Sequence, residues 1–299
     1  MKVPNHRDVL QGYAKGDIAM AIIVNTNMSA IKTQNNLNNA TNLLNSALER
    51  MSTGLKINRA ADDAAGMYVA SNLETQIRGS KVAQSNVETG INVLQTVEGN
   101  LDVINDNLLR IRDLCIQGAN GVYDGNSYTA MKNEIDARLA EITRISDSAE
   151  FNGLKLLDGS ITTPLTLQVG AQSGSTNQIS VAATVFADCD AAALVETSTA
   201  TFGTAADATA LLAKVDAGLE KVTTRKATIG AIQNRLTSAQ ASLVTTIENA
   251  SAAKSTIMDA DISQEAADFT KAQILQQTSA TLLTQANQLP ALALQLIAG

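Results

Sequence analysis

A strict seven-residue repeat of apolar side chains runs through the second half of the chain. Its members are, in order, Val222, Ile229, Leu236, Leu243, Ala250 and Ile257. Seven residues fall slightly short of two full turns of a straight α-helix, so the stripe stays against a neighbour only if the helices supercoil left-handedly. The chain is therefore predicted to fold mainly into long helices that pack along one another.

Two earlier segments show related spacing. Residues 37–51 carry an apolar seam at steps of three and four, and Gly54 then offers a helix stop. The seam consists of Leu37, Ala40, Leu44, Ala47 and Met51. A second helix is predicted over about residues 64–119, with a length of roughly 80 Å at 1.5 Å per residue. Because globular helices are usually much shorter, this segment is expected to lie along other helices.

A turn-rich stretch, GANGVYDGNS at 118–127, separates that helix from a third one. The apolar face of the third helix is formed by Met131, Ile135, Leu139 and Ile142. Its spacing is again that of a helix packed on one side.

The next segment changes period. Leu165, Leu167 and Val169 alternate with polar residues, which predicts a strand, and NQISVAATV at 177–185 predicts another. Residues 186–206 are rich in Ala, Thr, Asp and Ser and are interpreted as an exposed loop or short helix. The predicted fold class is mainly α, a long antiparallel coiled-coil-like helical rod or bundle with a small β-hairpin segment.

The two ends of the chain are helix-patterned but almost free of charge. Residues 18–48 contain one charged side chain, Lys32, and residues 272–299 contain none. The last helix places an apolar seam at Leu275, Leu282, Ala286 and Leu289. A solvent-facing helix normally carries Glu and Lys off its seam, whereas these ends carry Asn, Gln, Ser and Thr. Their outer faces are therefore expected to contact other protein, and the chain is predicted to polymerise with its own copies.

Composition excludes several classes of function. The net charge of −7 argues against nucleic-acid and anionic-membrane partners, which select basic patches. His6 is the only histidine, and Cys115 and Cys189 lie far apart, so neither a zinc motif nor a histidine triad is predicted. Aromatic residues make up 3% of the chain, fewer than small-molecule pockets usually need. The sequence thus predicts neither an enzyme nor a bound cofactor or metal.

Segmental hydropathy predicts a chain that neither spans a membrane nor carries a cleaved secretory signal. No run of about 20 apolar residues is present, and the first residues have no apolar core of signal-peptide type. Cytoplasmic residence and export by a route without cleavage both remain open at this point.

The stretch MSTGLKINRAADDAAGMYVAS, residues 51–71, contains adjacent acids at Asp62 and Asp63. A carboxylate dyad or metal loop is one interpretation, but no histidine or further acid cluster lies nearby in sequence. The other interpretation is a joint between helices, in which one acid caps a helix starting near Ala64 and Arg59 pairs with an acid. The second interpretation is favoured.

Several of these stretches resemble bacterial flagellin. The resemblance covers roughly residues 20–170 and 208–290. The motifs that carry it are MAIIVNTNMSAIKTQNNL at 20–37, MSTGLKINRAADDAAGMYVASNL at 51–73, GINVLQTVEGNLDVINDNLLRIRDLCIQGANG at 90–121, FNGLKLLDGS at 151–160 and MDADISQEAADFTKAQILQQTSATLLTQANQLP at 258–290.

The resemblance implies a layered filament subunit of a short kind that lacks large outer domains. Residues 20–60 and 258–299 would pair as the D0 region of the inner tube, with core packing by the seam leucines and Met51. Residues 61–160 and 208–257 would form the D1 bundle, with Gly54, Arg59, Asp62 and Asp63 at the joint. Residues 161–207 would be a short variable segment. Residues 1–19, which precede the usual family start, are interpreted as a disordered extension or a misassigned start.

The resemblance also implies partners and a location. The subunit would be secreted through the flagellar type III export apparatus, with a chaperone on its C-terminal helix, and would meet cap and junction proteins in an extracellular filament. The alternative is the hook–filament junction protein, whose joint usually has Pro beside the paired acids. The outer segment is too short for the metallopeptidase that some flagellins carry.

Two further expectations concern single side chains. In some flagellins the helix matching residues 108–120 is recognised by Toll-like receptor 5, and Arg110, Leu114 and Glu134 fall on the matching positions. The same residues are equally expected to serve subunit packing or solvation. Cys115 is predicted to be a small buried core residue, and Cys189 a residue of the outer segment that could crosslink.

Overall fold

The computed structural model describes the backbone of residues 26–298 and the side chains of residues 26–288. The predicted extension at residues 1–19 therefore lies outside the described residues. So does the side chain of Leu289.

Six α-helices account for most of the described chain. They are α1 (Met28–Thr53), α2 (Ala64–Ala119), α3 (Gly125–Ser148), α4 (Ala191–Val195), α5 (Ala205–Met258) and α6 (Ile262–Ala298). Four short strands lie between α3 and α4, namely β1 (Glu150–Phe151), β2 (Leu154–Lys155), β3 (Leu165–Gln168) and β4 (Gln178–Val181). The predicted mainly α fold and the predicted helix over residues 64–119 are confirmed.

The chain divides into two compact units. The terminal unit comprises the described parts of Met1–Tyr68 and Thr256–Gly299, and the central unit is Val69–Ser255. In the terminal unit α1 packs against α6. Contacts between Asn27 and Ala286 at one end and Arg50 and Glu265 at the other make the two helices antiparallel.

Small side chains line the contact between α1 and α6. The buried members are Ala40, Ala47, Ala272, Ser279 and Ala286. Small residues let two helix backbones approach closely, which turns the bulky side chains outward. Within one chain this contact covers Ala286 of the predicted α6 seam but leaves Leu275 and Leu282 43% and 50% exposed, so their role in filament packing stays a prediction.

The central unit is a bundle built on α2, α3 and α5. Lys254 Nζ lies 2.7 Å from Glu74 Oε2, and Arg112 Nε lies 2.7 Å from Asp216 Oδ1, so α5 runs antiparallel to α2. The predicted heptad seam of α5 is confirmed over most of its length. Its fully buried members are Val222, Ile229 and Leu236.

Two β-hairpins follow α3. In the predicted hairpin, β3 pairs antiparallel with β4 and Leu165 lies opposite Val181. The smaller hairpin, β1 with β2, was not predicted. The sequence signal was present, because an Asn-Gly pair at 152–153 is the strongest short hairpin signal. Both residues adopt the positive φ that such a turn requires.

Most apolar side chains of residues 183–202 are buried in the bundle. Of the two interpretations of residues 186–206, the exposed loop is therefore wrong, whereas a short helix is present as α4. The core members of residues 183–202 are Val185, Phe186, Cys189, Ala191, Leu194, Val195, Ala200 and Phe202. Arg225 of α5 donates from Nη1 to the Ala187 carbonyl at 2.7 Å and from Nη2 to the Asp188 carbonyl at 3.1 Å. These bonds hold the segment on the bundle despite its Ala-, Thr- and Ser-rich composition.

Both cysteines are buried. Cys115 belongs to the core, as predicted, and burial raises the pKa of its thiol to about 12, with a smaller contribution from Asp216. Cys189 is fully buried beside Arg225, so the suggested surface crosslink is wrong. Burial is also the main reason that the pKa of the Cys189 thiol is raised to about 11.

Candidate functional site

The joint between α1 and α2 begins at Gly54. Its φ of 70° is a left-handed conformation that glycine adopts without steric cost, and its N–H donates to the Arg50 carbonyl at 2.8 Å. This glycine cap ends α1 and redirects the chain toward Asp62 and Asp63.

The paired acids accept hydrogen bonds from different stretches of backbone. Asp63 Oδ1 accepts from the Gly66 N–H at 2.9 Å and satisfies a free donor at the start of α2. Asp62 Oδ2 accepts from the N–H groups of Arg59 at 2.9 Å and Asn58 at 3.1 Å. These two backbone bonds, Arg59 first, hold the pKa of Asp62 below its usual value. Both acids therefore cap backbone rather than form a dyad.

Arg59 contacts the preceding helix instead of the acids. Its Nη2 lies 3.0 Å from Glu49 Oε1 and 3.1 Å from Oε2, and its Nε donates to Oε1 at 3.2 Å. The expected guanidinium pairing with Asp62 or Asp63 is wrong, because only the Arg59 backbone reaches Asp62. The forked contact with Glu49 ties the joint to the last turns of α1.

Gly66 makes room for this arrangement. A Cβ atom there would lie 2.5 Å from Asp63 Oδ2 and 2.8 Å from Ile57 Cδ1, and Ile57 is buried. The absence of a side chain at Gly66 therefore lets the capping carboxylate and the buried Ile57 occupy the first turn of α2 together.

The joint pairs with the linker between α5 and α6. The Lys56 N–H donates to the Met258 carbonyl at 2.6 Å, and the Ala260 N–H donates to the Gly54 carbonyl at 2.9 Å. Leu55 and Asp259 thus form an antiparallel bridge between segments about 200 residues apart. Sequence reasoning missed this pairing, because no local signal reports a contact so distant in sequence.

An ion pair with a buried carboxylate lies just inside the joint. Arg50 Nη1 on α1 lies 3.4 Å from Glu265 Oε1 on α6, and Glu265 is 8% exposed. Neither residue was predicted as a site residue. Together with the paired linkers, this contact sets the register of α1 against α6.

The predicted filament-packing residues lie on the terminal unit. Leu37, Leu44 and Met51 are half-buried, beside the small-residue seam. Leu275 and Leu282, which are also predicted filament-packing residues, face outward. So do Ile31, Leu43, Leu48 and Ile274. A pair of helices whose seam is filled by alanine and serine cannot cover these groups within one chain.

Arg110 and Glu134 are brought together across α2 and α3. Arg110 Nε donates to Glu134 Oε1 at 2.8 Å, which raises the pKa of the guanidinium and lowers that of the carboxyl. Leu114 is 3% exposed and does not share this surface, because its side chain fills the bundle core. The predicted receptor surface thus consists of an ion pair without the leucine.

Residues 26–288 contain no cluster of three or more His, Cys, Asp or Glu side chains that could hold a metal ion. Within the described residues no helix is both long and apolar enough to cross a membrane.

Comparison with known proteins decides the family. The bacterial flagellin N-terminal helical region matches residues 24–162, and the bacterial flagellin C-terminal helical region matches residues 212–297. A flagellin of Bacillus subtilis is 38% identical over 92% of this chain and 99% of its own length. The chain belongs to the bacterial flagellin family.

Two further relatives match the present chain over nearly their whole length. A flagellin of Halalkalibacterium halodurans is 36% identical over 92% of this chain and 100% of its own length. A flagellar filament 31.3 kDa core protein of Treponema maltophilum is 34% identical over 89% of this chain and 96% of its own length. These matches run through both the terminal and the central units of this flagellin.

Proposed function

We propose that the terminal unit is the element through which this flagellin polymerises. As a member of its family, the chain is a structural subunit of the extracellular bacterial flagellar filament. The observation that carries the proposal is the distribution of side-chain size on α1 and α6. Small residues fill the contact between the two helices, while Leu275 and Leu282 on the outer face stay half-exposed. In the filament, those leucines bury against neighbouring copies.

The magnitude of this burial suits a reversible assembly. Full burial of a leucine contributes about 1.5–3 kcal/mol, so covering the exposed half of one contributes about 1 kcal/mol. Several outward apolar side chains on each terminal unit, repeated along a polymer, add up to a stable contact. Because residues 272–299 carry no charged side chain, no side-chain ion has to be desolvated there.

The two units are assigned to two layers of the filament. Residues 20–60 and 258–299 form the inner tube, residues 61–160 and 208–257 form the outer wall, and the joint at Gly54–Asp63 links them. This assignment is supported by the division of the chain near residues 68 and 256. The segment at 161–207 belongs to the outer wall, since most of its apolar side chains pack on the bundle.

The proposed partners are those that a flagellin meets during export and assembly. The flagellar export apparatus passes the chain outward, a chaperone covers α6 before export, and cap and junction proteins contact the growing polymer. The outward leucines of α6 support the chaperone proposal, because exposed apolar patches on a free subunit favour aggregation. Toll-like receptor 5 is a further partner, and the accessible ion pair of Arg110 with Glu134 supports that proposal.

Truncation tests the role of the terminal unit. A chain lacking residues 275–299 should form no filaments by negative-stain electron microscopy, while circular dichroism still reports a folded helical bundle. The full chain, treated identically, is the control. Normal filaments from the truncated chain would refute the proposal.

A further inference from the structure

The central unit contains two asparagines that are each followed by glycine, at 120–121 and at 152–153. Such a pair is chemically reactive, because the amide nitrogen of the glycine can attack Cγ of the asparagine side chain and close an imide ring. Glycine has no Cβ that would hinder this approach. The attack requires a backbone conformation that brings the glycine nitrogen toward the side chain, and the structure gives the two pairs different conformations.

The pair at 152–153 is held in an unreactive conformation. Asn152 and Gly153 form the turn of the β1–β2 hairpin, in which Phe151 pairs with Leu154. The φ of Asn152 is 49°, in the left-handed region, where ψ is about +47°. At that ψ the Gly153 nitrogen lies nearly opposite to the Asn152 Cβ across the Cα–C bond. The imide ring therefore closes only after the hairpin turn has opened.

The pair at 120–121 is not held in this way. Asn120 directly follows the last residue of α2, and both it and Gly121 are exposed. Among the described residues only Asn152 and Glu196 combine a side chain with positive φ, so Asn120 has a negative φ. The helical and extended regions at negative φ both avoid the opposed arrangement of nitrogen and Cβ.

The reacting groups of this pair also have no competing partner. The Asn120 carbonyl accepts from the Val122 N–H, but no hydrogen bond within residues 26–288 uses the Asn120 side chain or the Gly121 N–H. A Cβ atom at Gly121 would meet no other atom within 4 Å. Water therefore reaches both the amide nitrogen and the side-chain carbonyl.

Both flanks of the exposed pair are fixed to the bundle. On the α2 side, the hydroxyl of buried Tyr128 donates to the Gly118 carbonyl at 2.7 Å. On the α3 side, Asp124 Oδ1 accepts from the Ser127 N–H at 2.9 Å and caps the helix. The reactive pair thus stays at the surface while the folded unit remains intact.

We infer that Asn120 is a site of spontaneous deamidation in this flagellin. The Gly121 nitrogen bonds to Asn120 Cγ and gives its proton to water, while the Cγ–Nδ2 bond breaks and Nδ2 leaves as ammonia after taking up a proton. A water molecule then opens the imide at either of its two carbonyls and leaves aspartate or isoaspartate. The net change consumes one water and releases one ammonia, and no oxidant or enzyme is needed.

The modification alters the carboxyl end of α2. Each conversion adds a negative charge directly after the helix, where the helix dipole is also negative, so the charge disfavours the last turn. The isoaspartate product additionally lengthens the main chain by one methylene between two fixed flanks. This inference concerns the central unit and does not depend on the role proposed for the terminal unit.

Incubation of the full-length protein in mildly alkaline buffer tests the site. Folded samples and samples in urea are digested at successive times, and peptide mass spectrometry with chromatographic separation of aspartate from isoaspartate follows both asparagines. Asn120→Gln removes the proposed site, because the longer side chain disfavours ring closure. Asn152→Gly is the matched control, because glycine keeps the positive φ of the hairpin turn.

In the folded wild type, Asn120 should convert at least about tenfold faster than Asn152, a ratio that requires only about 1.4 kcal/mol for opening the hairpin. In urea the two rates should agree within about twofold, because the turn conformations are lost. Folded Asn120→Gln should gain almost no negative charge on isoelectric focusing, whereas Asn152→Gly should gain it at the wild-type rate. Persistence of Asn120 in the folded chain, equal conversion of both asparagines there, or the same rate ratio in urea overturns the inference.

Discussion

Leu167 of β3 rests directly on Gly90 of α2. A Cβ atom at Gly90 would lie 2.5 Å from Leu167 Cδ1, so a side chain at this position would force Leu167 to shift. A second contact, between Ala171 and Gly79, holds the hairpin tip in the same way. Both glycines thus let the hairpin lie close against α2.

Gly90→Ala is expected to destabilise the central unit by up to about 2 kcal/mol. Forcing an extra methyl group into a packed site costs about 1–3 kcal/mol. Replacing Gly by Ala in a helix gains about 1 kcal/mol of helix propensity, which offsets only part of that cost. The measurement is the free energy of unfolding in urea. Gly99→Ala is the matched control, because Gly99 lies in the same helix with open space around it, and it should stabilise the protein by up to about 1 kcal/mol. Equal effects of the two changes would contradict the packing role of Gly90.

Glu74 is expected to make stability depend on pH in the acid range. Hydrogen bonds from Lys254 first, and then from Arg78, lower the pKa of Glu74 from 4.5 to about 2. A folded-state pKa below the unfolded value stabilises the protein fully above about pH 4.5, and this contribution disappears as the pH falls toward 2.

Glu74→Gln should therefore lower the melting temperature at pH 6, and the difference from wild type should shrink as the pH falls through this window. Glu248→Gln, at an exposed position of α5, serves as the control. A constant difference between wild type and Glu74→Gln from pH 6 to pH 2 would disprove the linkage.

Asp63→Ala is expected to loosen the start of α2 and to reduce filament yield. Loss of an N-cap costs about 1 kcal/mol, so the Gly66 amide should exchange hydrogen roughly fivefold faster. Asp63→Asn should behave almost as wild type, because Asn caps equally well. The double change of Asp62 and Asp63 to Ala should impair assembly further, since Asp62 holds the turn before the helix. Unchanged exchange at Gly66 in Asp63→Ala would remove the capping role.

Periodic features of this flagellin were predictable from sequence because they are local. The seam of α5 and the ends of α1 and α2 follow from spacing and from Gly54, and the structure confirms them. The capping of α2 by Asp63 is similarly local, since donor and acceptor lie three residues apart.

Features that depend on distant contacts were missed or misjudged. The Leu55–Asp259 bridge and the Arg50–Glu265 pair join residues about 200 positions apart. Burial of the segment around Cys189 depends on Arg225, which composition alone cannot indicate. Leu275 and Leu282 lie outside the contact between α1 and α6, because close approach of the two backbones selects alanine and serine there.

Polymerisation of a Leu275→Ser, Leu282→Ser double variant tests the central claim most directly. Both leucines lie half-exposed on α6, so the subunit should keep its helical content. Loss of two contributions of about 1 kcal/mol each should raise the critical concentration roughly 30-fold. Leu275→Met with Leu282→Met should polymerise close to wild type, because it preserves the apolar surface. Polymerisation of the serine variant at the wild-type critical concentration would contradict the account.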